Sequence, residues 1–377
     1  MTTRRLTVMQ LLPDLEVGGV EQGTLEIAEA LVAAGHRAIV VSAGGRLVPA
    51  LERAGATHLP LPIGRKRPTT LRLARALREA MRAERVDVVH ARSRLPAWIG
   101  RWAWRGLPAA ERPRWVTTVH GPYTVNRYSR IMVSGERVIA ISEFIRDYIL
   151  QNYPEVPAAR IALVPRGVDP RRYPWGHRPD PAWLAAWQAQ HPRLAGRRVL
   201  CLPARLTRWK GQIDFIEMID RLIAGGHPVH GLVVGGPHPR KREYESELHA
   251  LVRSRGLGGH VTFLGQRSDL REIFAVTDCV FSLTREPEAF GRTTVEALSL
   301  GRPVIGYDHG GTGEILREVF PAGRVPAGDI AAAAQRTVEL LAACPEVPRD
   351  QPFTLARMQA GTLAVYAALT AGSAPLE

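Results

Sequence analysis

The sequence of 377 residues lacks features that would define several classes of protein. Its three cysteines, Cys201, Cys279 and Cys344, form no CxxC pair, so neither a zinc knuckle nor a disulfide framework is expected. No apolar stretch approaches the roughly 20 residues that a membrane-spanning helix needs. The first apolar run has no small-residue cleavage site and is interpreted as a buried strand. We therefore expect a cytoplasmic protein in which Cys201 and Cys279 are buried thiols.

Acidic residues are also scarce relative to basic ones. The chain contains 50 Lys and Arg residues and 36 Asp and Glu residues, which gives a formal net charge of +14. Such an excess predicts an anionic partner, whether nucleic acid, a membrane surface or a phosphorylated substrate. An arginine-rich coding bias is the alternative. With 45% hydrophobic and 23% charged residues, the chain has the composition of a soluble globular protein, which excludes a mostly disordered one.

The length exceeds what one hydrophobic core of roughly 250–300 residues holds, so two domains are expected. Short apolar runs alternate with helical patterns in both halves, and the runs are 6–12, 36–42, 86–90, 115–120, 137–141 and 161–165, then 198–203, 229–234, 261–264, 279–283 and 303–307. Near-continuous apolar strands separated by helices indicate parallel sheets that are covered on both faces.

This pattern predicts an α/β fold with two doubly wound, Rossmann-like domains that face each other across a cleft. We assign residues 1–172 to the first domain and residues 173–352 to the second domain. Residues 173–192 form a linker or excursion, and 353–377 carry a helix that packs near the junction or back on the first domain. Ligands are expected at the carboxyl ends of the strands.

Gly18 and Gly19 follow the first strand and open the first helix. They let the backbone approach a ligand, and the free amides of the helix start favour an anion. The spacing differs from the dinucleotide fingerprint GxGxxG, and a tight turn is the alternative.

Arg205 and Lys210 follow the first strand of the second half, just before Gly211 and a predicted helix. A guanidinium fork and a compact ammonium beside a helix start suit a diphosphate. The alternative is a solvated basic loop.

Glu288 and Glu296 are eight positions apart, and Gly291 interrupts the segment between them. We predict that Glu288 precedes a helix and that Glu296 lies inside it, where a carboxylate can accept hydrogen bonds from sugar hydroxyls. Paired glutamates on a solvated helix are the alternative. Downstream, the glycines of 310–313 again follow a strand and are expected to approach a ligand.

In this order the motifs resemble the retaining GT-B glycosyltransferases of family 4, over nearly the whole chain. The resemblance includes GGVE at 18–21, TVHG at 118–121, PRGVD at 165–169, Arg205 with Lys210, Gly235-Gly236, the two glutamates and 303–314. It implies transfer of a sugar from a nucleotide-diphosphate sugar with retention of anomeric configuration. It also implies that residues 1–172 form the acceptor-binding domain and residues 173–352 the donor-binding domain.

The resemblance also implies roles for individual residues. They are Arg205 and Lys210 at the diphosphate, Gly18 and Gly19 in the loop that covers it, Glu296 at the ribose, Glu288 at the donor sugar, Phe290, Gly291 and Thr293 beside the donor, and His120 near the reacting centre. Ala289, Arg166 and Arg292 depart from the usual pattern, and Arg292, with Arg285 nearby, is expected to add charge at the phosphates or meet an anionic sugar. Without the resemblance, His120 is interpreted as a core histidine.

The chemistry of the transfer agrees with these roles. Fixed cations stabilise the leaving diphosphate, and the sequence contains no Asp-x-Asp pair. We therefore expect no cofactor and no divalent metal. Retention through same-face attack is preferred because it is the mechanism usually proposed for the family. Double displacement with Glu288 as nucleophile stays open.

The acceptor side is expected in the first domain, where basic residues cluster. Arg72, Arg75, Arg78 and Arg82 recur at helical spacing, with Leu71, Leu73 and Leu77 predicted to point inward. Farther on, Trp98 and Trp102 are interleaved with arginines. This pattern suits peripheral docking on the inner leaflet of the cytoplasmic membrane and an anionic lipid-linked or lipopolysaccharide-core acceptor. A solvated helix face is the alternative.

Two other functions compete. The charge alone would allow a nucleic-acid-binding protein, but no nucleic-acid motif is present and nucleic acid is not expected as a partner. A sugar-nucleotide epimerase or hydrolase of the same fold is the nearer alternative. Release of nucleoside diphosphate that depends on an acceptor would distinguish transfer from both.

Overall fold

The computed structural model describes residues 4–16, 18–237 and 243–371. The chain divides into two compact units: one is Met1–Pro165 with Leu355–Glu377, and the other is Arg166–Thr354. The division therefore falls between 165 and 166, a few residues before the expected boundary, and the C-terminal segment belongs to the first unit.

In the part of the first unit that the structure describes, seven parallel strands form one sheet in the order β3-β2-β1-β4-β5-β6-β7. The strands are β1 (Thr7–Leu11), β2 (Arg37–Ser42), β3 (Thr57–Pro60), β4 (Val88–Ala91), β5 (Arg114–Val119), β6 (Arg137–Ala140) and β7 (Ile161–Leu163). Valines of the central strands, such as Val8, Val88 and Val116, have no exposed surface, because helices cover both faces of the sheet.

The helices of this unit include α1 (Gly19–Ala33), α2 (Val48–Arg53), α3 (Leu73–Ala83), α4 (Arg94–Arg105) and α5 (Glu143–Asn152). Strand β1 pairs with β2 on one side and with β4 on the other. The chain therefore changes direction between β1 and β4, which makes their carboxyl ends the topological switch point of the sheet.

The second unit repeats this plan, with a six-stranded parallel sheet in the order β10-β9-β8-β11-β12-β13 within its described residues. The strands are β8 (Arg198–Pro203), β9 (Val229–Val234), β10 (Val261–Gly265), β11 (Cys279–Ser282), β12 (Val304–Tyr307) and β13 (Arg324–Val325). Here β8 pairs with β9 and β11, so the switch point lies between β8 and β11. The predicted fold class, with two doubly wound parallel sheets, is confirmed.

The helices of the second unit include α6 (Pro181–Gln190), α7 (Gln212–Ala224), α8 (Glu243–Ser254), α9 (Leu270–Ala275), α10 (Arg292–Ser299), α11 (Gly310–Val319) and α12 (Ile330–Ala343). The stretch predicted as a linker thus contains a helix, α6, whose start is capped by the Asp180 carboxylate. Cys201 and Cys279 are buried free thiols, as expected.

The last helix, α13 (Leu355–Ala371), packs on the first unit. Its Tyr366 is buried, and the Tyr366 hydroxyl lies 2.6 Å from Nδ1 of His90 in β4. The Gln359 amide donates to the Glu26 carbonyl of α1 at 2.8 Å. In the described ranges, no helix has both the length and the apolar character that crossing a membrane requires.

Candidate active site

The loop that carries Lys210 connects β8 to α7 and rests against the end of β11. Gly211 has φ of +77°, and a Cβ there would lie 1.9 Å from the Leu283 carbonyl oxygen. Only glycine combines this left-handed backbone with such a close approach. Gly211 therefore fixes the position of Lys210 relative to the strand that precedes Glu288.

Lys210 forms an ion pair with Glu288 through Nζ and Oε1. Both side chains are largely buried, with 19% and 12% of their surface exposed. The Nζ atom also lies 4.2 Å from the centroid of the Trp209 ring. Burial, together with the positive charge of Arg205, lowers the pKa of Lys210 to about 8.

Arg205 is exposed at the end of β8. Its carbonyl accepts a hydrogen bond of 3.0 Å from the Gln212 amide, which ties the beginning of the loop to the start of α7. Within the ranges that the structure describes, its guanidinium has no hydrogen-bonding partner, while its charge acts on Lys210. The structure therefore brings together Arg205, Lys210 and Glu288.

The loop containing Glu288 is held by the glycines that begin α11. The Gly311 amide donates to the Glu288 carbonyl at 2.8 Å. A Cβ at Gly311 would lie 2.3 Å from the Phe290 Cα atom, and one at Gly310 would lie 2.7 Å from the Glu288 carbonyl oxygen. These glycines were expected to approach a ligand, but the group they approach is the protein's own loop.

Helix α10 begins directly after this loop. Gly291, with φ of +101°, is its N-cap, so the helix starts as predicted and its first amides have no side-chain cap. A small pocket lies at this point, and it is lined by Leu202, Pro203, Ala204, Lys210, Phe281, Ser282, Thr284, Glu288 and Thr293. A lysine, a carboxylate and a helix start that favours anions thus meet at the switch point of the second sheet.

Glu296 lies inside α10, as predicted, and is 8% exposed. Burial raises the pKa of its carboxyl group, opposed by the charge of Arg292 and by a hydrogen bond with Tyr173. The Arg292 Nε atom lies 3.6 Å from Glu296 Oε1. Arg292 thus faces the carboxylate that was predicted to bind ribose.

Arg285 is bound to the buried Asp214. Its Nε and Nη2 atoms donate to Asp214 Oδ1 at 2.9 and 2.5 Å.

The residues of the first unit that were predicted to lie near the donor follow its strands. Gly18 is the N-cap of α1, and a Cβ there would lie 2.3 Å from a Glu21 carboxylate oxygen. At Gly19, no atom of the described part of the chain lies within 4 Å of the corresponding position. His120 follows β5 directly, is partly exposed, and its backbone amide donates to the Tyr123 hydroxyl at 3.3 Å.

The arginines of α3 do not form one uniform cationic face. Arg75 pairs with Glu79 at 3.0 Å, and Arg82 pairs with Glu111 at 2.7 Å. Arg78 packs over Gly106, where a Cβ would lie 2.2 Å from the guanidinium carbon. The prediction for Leu71 was wrong: it lies in a 3₁₀ turn before α3 and is 52% exposed.

Trp98 and Trp102 lie one turn apart on α4, with ring centroids 5.7 Å apart. Trp98 Nε1 donates to the Tyr128 carbonyl at 3.0 Å, while Trp102 is 39% exposed. The Arg94 guanidinium lies 4.9 Å from the Tyr123 ring centroid. Sequence reasoning missed these tyrosines because their partners lie far away along the chain.

Two further residues beside Glu288 and Lys210 were not predicted. The Thr312 hydroxyl lies 3.5 Å from Glu288 Oε2 and also 3.2 Å from the Ser282 hydroxyl. Trp209 places its ring face against Lys210. A Trp directly before the lysine was the available signal for the second contact, whereas nothing in the sequence links Thr312 to Glu288.

Comparison with known proteins places these observations in a family. Residues 17–172 match Glycosyltransferase Family 4, and residues 185–350 match Glycosyl transferases group 1. The chain belongs to the GT-B glycosyltransferases of family 4. The two matches meet at the linker predicted from the sequence, so together they extend over both units.

Two curated relatives show how much of the chain is shared. A phosphatidyl-myo-inositol mannosyltransferase of Mycobacterium leprae is 27% identical over 86% of this chain and 84% of its own length. The putative glycosyltransferase YtcC of Bacillus subtilis is 22% identical over 64% of this chain. That match spans only 60% of the length of the Bacillus protein.

Solved structures with the same fold include other glycosyltransferases. A glycosyltransferase of Rickettsia africae has a TM-score of 0.85 at 25% identity, covering 98% of this chain and 100% of its own. Anabaena HepE in complex with UDP-glucose has a TM-score of 0.74 at 21% identity, covering 97% and 98%. WaaG, a glycosyltransferase involved in lipopolysaccharide biosynthesis, has a TM-score of 0.65 at 16% identity, covering 98% and 96%. At these identities HepE and WaaG show the shared fold alone.

Proposed function

We propose that this glycosyltransferase moves a sugar from a nucleotide-diphosphate sugar to a hydroxyl group of a glycan or lipid-linked acceptor. The observation on which the proposal rests is the Lys210–Glu288 ion pair beside the start of α10. A buried cation, a carboxylate and uncapped amides are the groups that a diphosphate and a sugar require.

The donor-binding roles follow from the charges of the second unit. Arg205 and Lys210 bind the diphosphate, and Lys210 exchanges its Glu288 partner for a phosphate oxygen when the donor arrives. Glu288, once released, accepts hydrogen bonds from the donor sugar. Because the pair is largely buried, the charge of Lys210 acts with little screening on the leaving diphosphate. HepE, which shares the fold, binds UDP-glucose, and this supports a nucleotide sugar as donor.

Glu296 is proposed to bind the ribose hydroxyl groups of the nucleotide. Its carboxylate is buried inside α10 and is held by Arg292 and Tyr173. The role of Arg292 is then to orient this carboxylate. Arg292 was also expected to add charge at the phosphates or to meet an anionic sugar, and those roles stay predictions beside its contact with Glu296.

Transfer is proposed to proceed with retention and without a divalent metal. Arg205, Lys210 and the start of α10 supply the positive charge that a metal ion would otherwise supply at the leaving group. Same-face attack, in which the leaving phosphate takes the acceptor proton, is the proposed route to retention. A glycosyl adduct on Glu288, detected by mass spectrometry, would instead establish double displacement.

The acceptor is proposed to be an anionic glycolipid or lipopolysaccharide-core glycan that is met at the inner leaflet. Leu71 and Trp102 are exposed, and so are Arg65, Lys66, Arg67 and Arg72 of the same unit; exposed apolar and basic side chains are the groups that bind anionic lipid surfaces. Flotation with neutral and anionic vesicles tests this part. Binding to anionic vesicles alone is expected, whereas equal binding to both, or to neither, contradicts it.

A thermal-shift panel of nucleotide-diphosphate sugars, run with chelator and without metal, tests the donor side. We expect selective stabilisation by one donor, since a ligand that binds only the folded state raises the melting temperature. Acceptor-dependent release of the nucleoside diphosphate then identifies transfer. Release without an acceptor would indicate a hydrolase, and conversion of the donor sugar without release would indicate an epimerase.

A further inference from the structure

A buried arginine lies at the switch point of the first sheet. Arg92 follows β4 directly and is 2% exposed. Its backbone amide donates to the carbonyl of Leu11, the last residue of β1, at 2.9 Å. Ligands of doubly wound sheets bind where the strand order reverses, so Arg92 lies where a ligand is expected.

Arg92 has a neutral partner in place of a carboxylate. Its Nη1 atom donates to Gln10 Oε1 at 2.8 Å, and Gln10 Nε2 donates to the Thr24 carbonyl of α1 at 3.0 Å. Across residues 4–16, 18–237 and 243–371, no carboxylate lies within ion-pair distance of Arg92, and its Nε atom is buried without a partner. A buried charge without a carboxylate at ion-pair distance lowers stability, so the protein retains Arg92 at the expense of stability.

The Nε and Nη2 atoms of Arg92 form one edge of its guanidinium group. This edge makes no hydrogen bond to any residue that the structure describes. Elsewhere in this chain the same edge binds carboxylates. The arginines that show it, each with Nε and Nη2 on one aspartate or glutamate, are Arg171, Arg267, Arg271 and Arg285. This fork matches the spacing of two oxygens of a carboxylate or phosphate group.

The start of α1 lies on the same side of the sheet end. Gln10 joins Arg92 to Thr24 in the second turn of α1, and the charges of Glu26 and Glu21 on the same helix act on Arg92. Among the residues that the structure describes, none has an atom within 4 Å of a Cβ position at Gly19, so the space there is open to them. The positive end of this 15-residue helix thus adds to the field of the guanidinium.

We propose that Arg92, positioned by Gln10, forms an anion-binding site at the switch point of the first unit, for a phosphate or carboxylate group of a substrate. The assignment of that group to the acceptor rests on the proposed function, in which the donor diphosphate is bound by Arg205 and Lys210. Arg92 recognises the anion through its Nε–Nη2 edge, while Nη1 stays on Gln10.

Replacement of Arg92 by Met tests the site with inorganic phosphate as the probe. Melting temperatures are measured in HEPES–chloride buffer with and without phosphate for wild type, Arg92→Met and the exposed control Arg171→Met. We expect Arg92→Met to melt at or above the wild-type temperature without phosphate, because an uncompensated buried charge is removed. It should also lose most of the phosphate-dependent gain, which Arg171→Met should keep.

An unchanged phosphate-dependent gain in Arg92→Met, together with a lower melting temperature, would show that Arg92 only links β4 to β1. A second measurement uses only the wild type, so it tests the site even if Arg92→Met fails to fold. Wild-type crystals soaked in selenate should show an anomalous peak within hydrogen-bonding distance of Arg92 Nε and Nη2. Selenate peaks found only at other arginines would overturn the proposal.

Calorimetric titration with the nucleoside diphosphate separates the two sources of the anion. Equal affinity in wild type and Arg92→Met, with a KM for the acceptor raised roughly 10-fold or more, assigns the group to the acceptor. A similar loss of nucleotide affinity would assign it to the donor and overturn the acceptor assignment. If no nucleotide sugar stabilises the wild type while selenate still binds at Arg92, the anion site stands and the proposed transfer fails.

Discussion

Lys210 and Glu288 are 78 positions apart in the sequence, yet their ammonium and carboxylate groups form a largely buried ion pair. The pair exists because two loops end at the same place. One follows β8 and the other follows β11, and these strands are neighbours in the sheet. Parallel neighbours bring their carboxyl ends to one edge, so residues after them meet there.

Removal of either member of this pair should reduce turnover while the fold remains intact. Lys210→Ala and Glu288→Gln are each expected to lower kcat roughly 100- to 1,000-fold, because each group contacts the reacting part of the donor. Arg208→Ala is the matched control, since Arg208 lies in the same loop but pairs with Glu247 on the surface. Steady-state kinetics and circular dichroism provide the measurement. Loss of folding in both variants, with normal rates in the folded fraction, would contradict these roles.

Donor affinity should fall on the alkaline side near pH 8. The pKa of Lys210 is lowered to about 8 from its ordinary 10.5, so its ammonium loses the proton as the pH rises through 8. The charged form binds the diphosphate, so affinity is full below pH 8 and is lost above it. Titration of nucleoside diphosphate from pH 6.5 to 9.5 measures this loss.

Lys210→Arg provides the control for this pH profile, because a guanidinium stays protonated throughout the range. The alkaline decline should be absent in that variant, whatever its affinity at neutral pH. A decline at the same pH in Lys210→Arg would mean that another group titrates there.

Trp209 should position the Lys210 ammonium. A ring face attracts a cation without neutralising it, so Lys210 keeps its charge for the leaving phosphate. Trp209→Leu is expected to weaken donor binding roughly 2- to 30-fold, which corresponds to a cation–π energy of about 0.5–2 kcal/mol. Trp209→Phe should restore part of this affinity and shift the alkaline decline less than Trp209→Leu. Equal effects of Leu and Phe would show that the side chain only fills space.

A side chain at position 211 should lower the stability of the protein, because Gly211 packs against Leu283 at the end of β11. Gly211→Ala is compared with Gly328→Ala, because both glycines have φ near +78° but no atom lies within 4 Å of a Cβ at Gly328. The left-handed backbone alone costs about 1–2 kcal/mol in each variant. The clash with the Leu283 carbonyl should add about 1–3 kcal/mol to Gly211→Ala. Urea denaturation measures both, and equal losses would refute the contact.

The strands and the order of the two units were predictable from the sequence. The runs at 198–203 and 229–234 match β8 and β9 residue for residue, because a strand buried on both faces must be apolar throughout. β3 and β13 were missed, since β3 is partly exposed at the sheet edge and β13 has two residues. Neither has the continuous apolar run on which the prediction depended.

The family was predictable from the sequence, and so was the place of the candidate site residues along the strands and helices, whereas their roles stay predictions. The sequence determined that Gly18, Arg205, Lys210 and Glu288 follow strands or open helices and that Glu296 lies inside a helix, because these positions depend on local patterns. Tertiary structure alone decided two of the partners: Lys210 with Glu288, and Arg92 with the neutral Gln10. Such contacts join residues brought together by strand order, and no local periodicity in a sequence encodes which neighbour a charged side chain will meet.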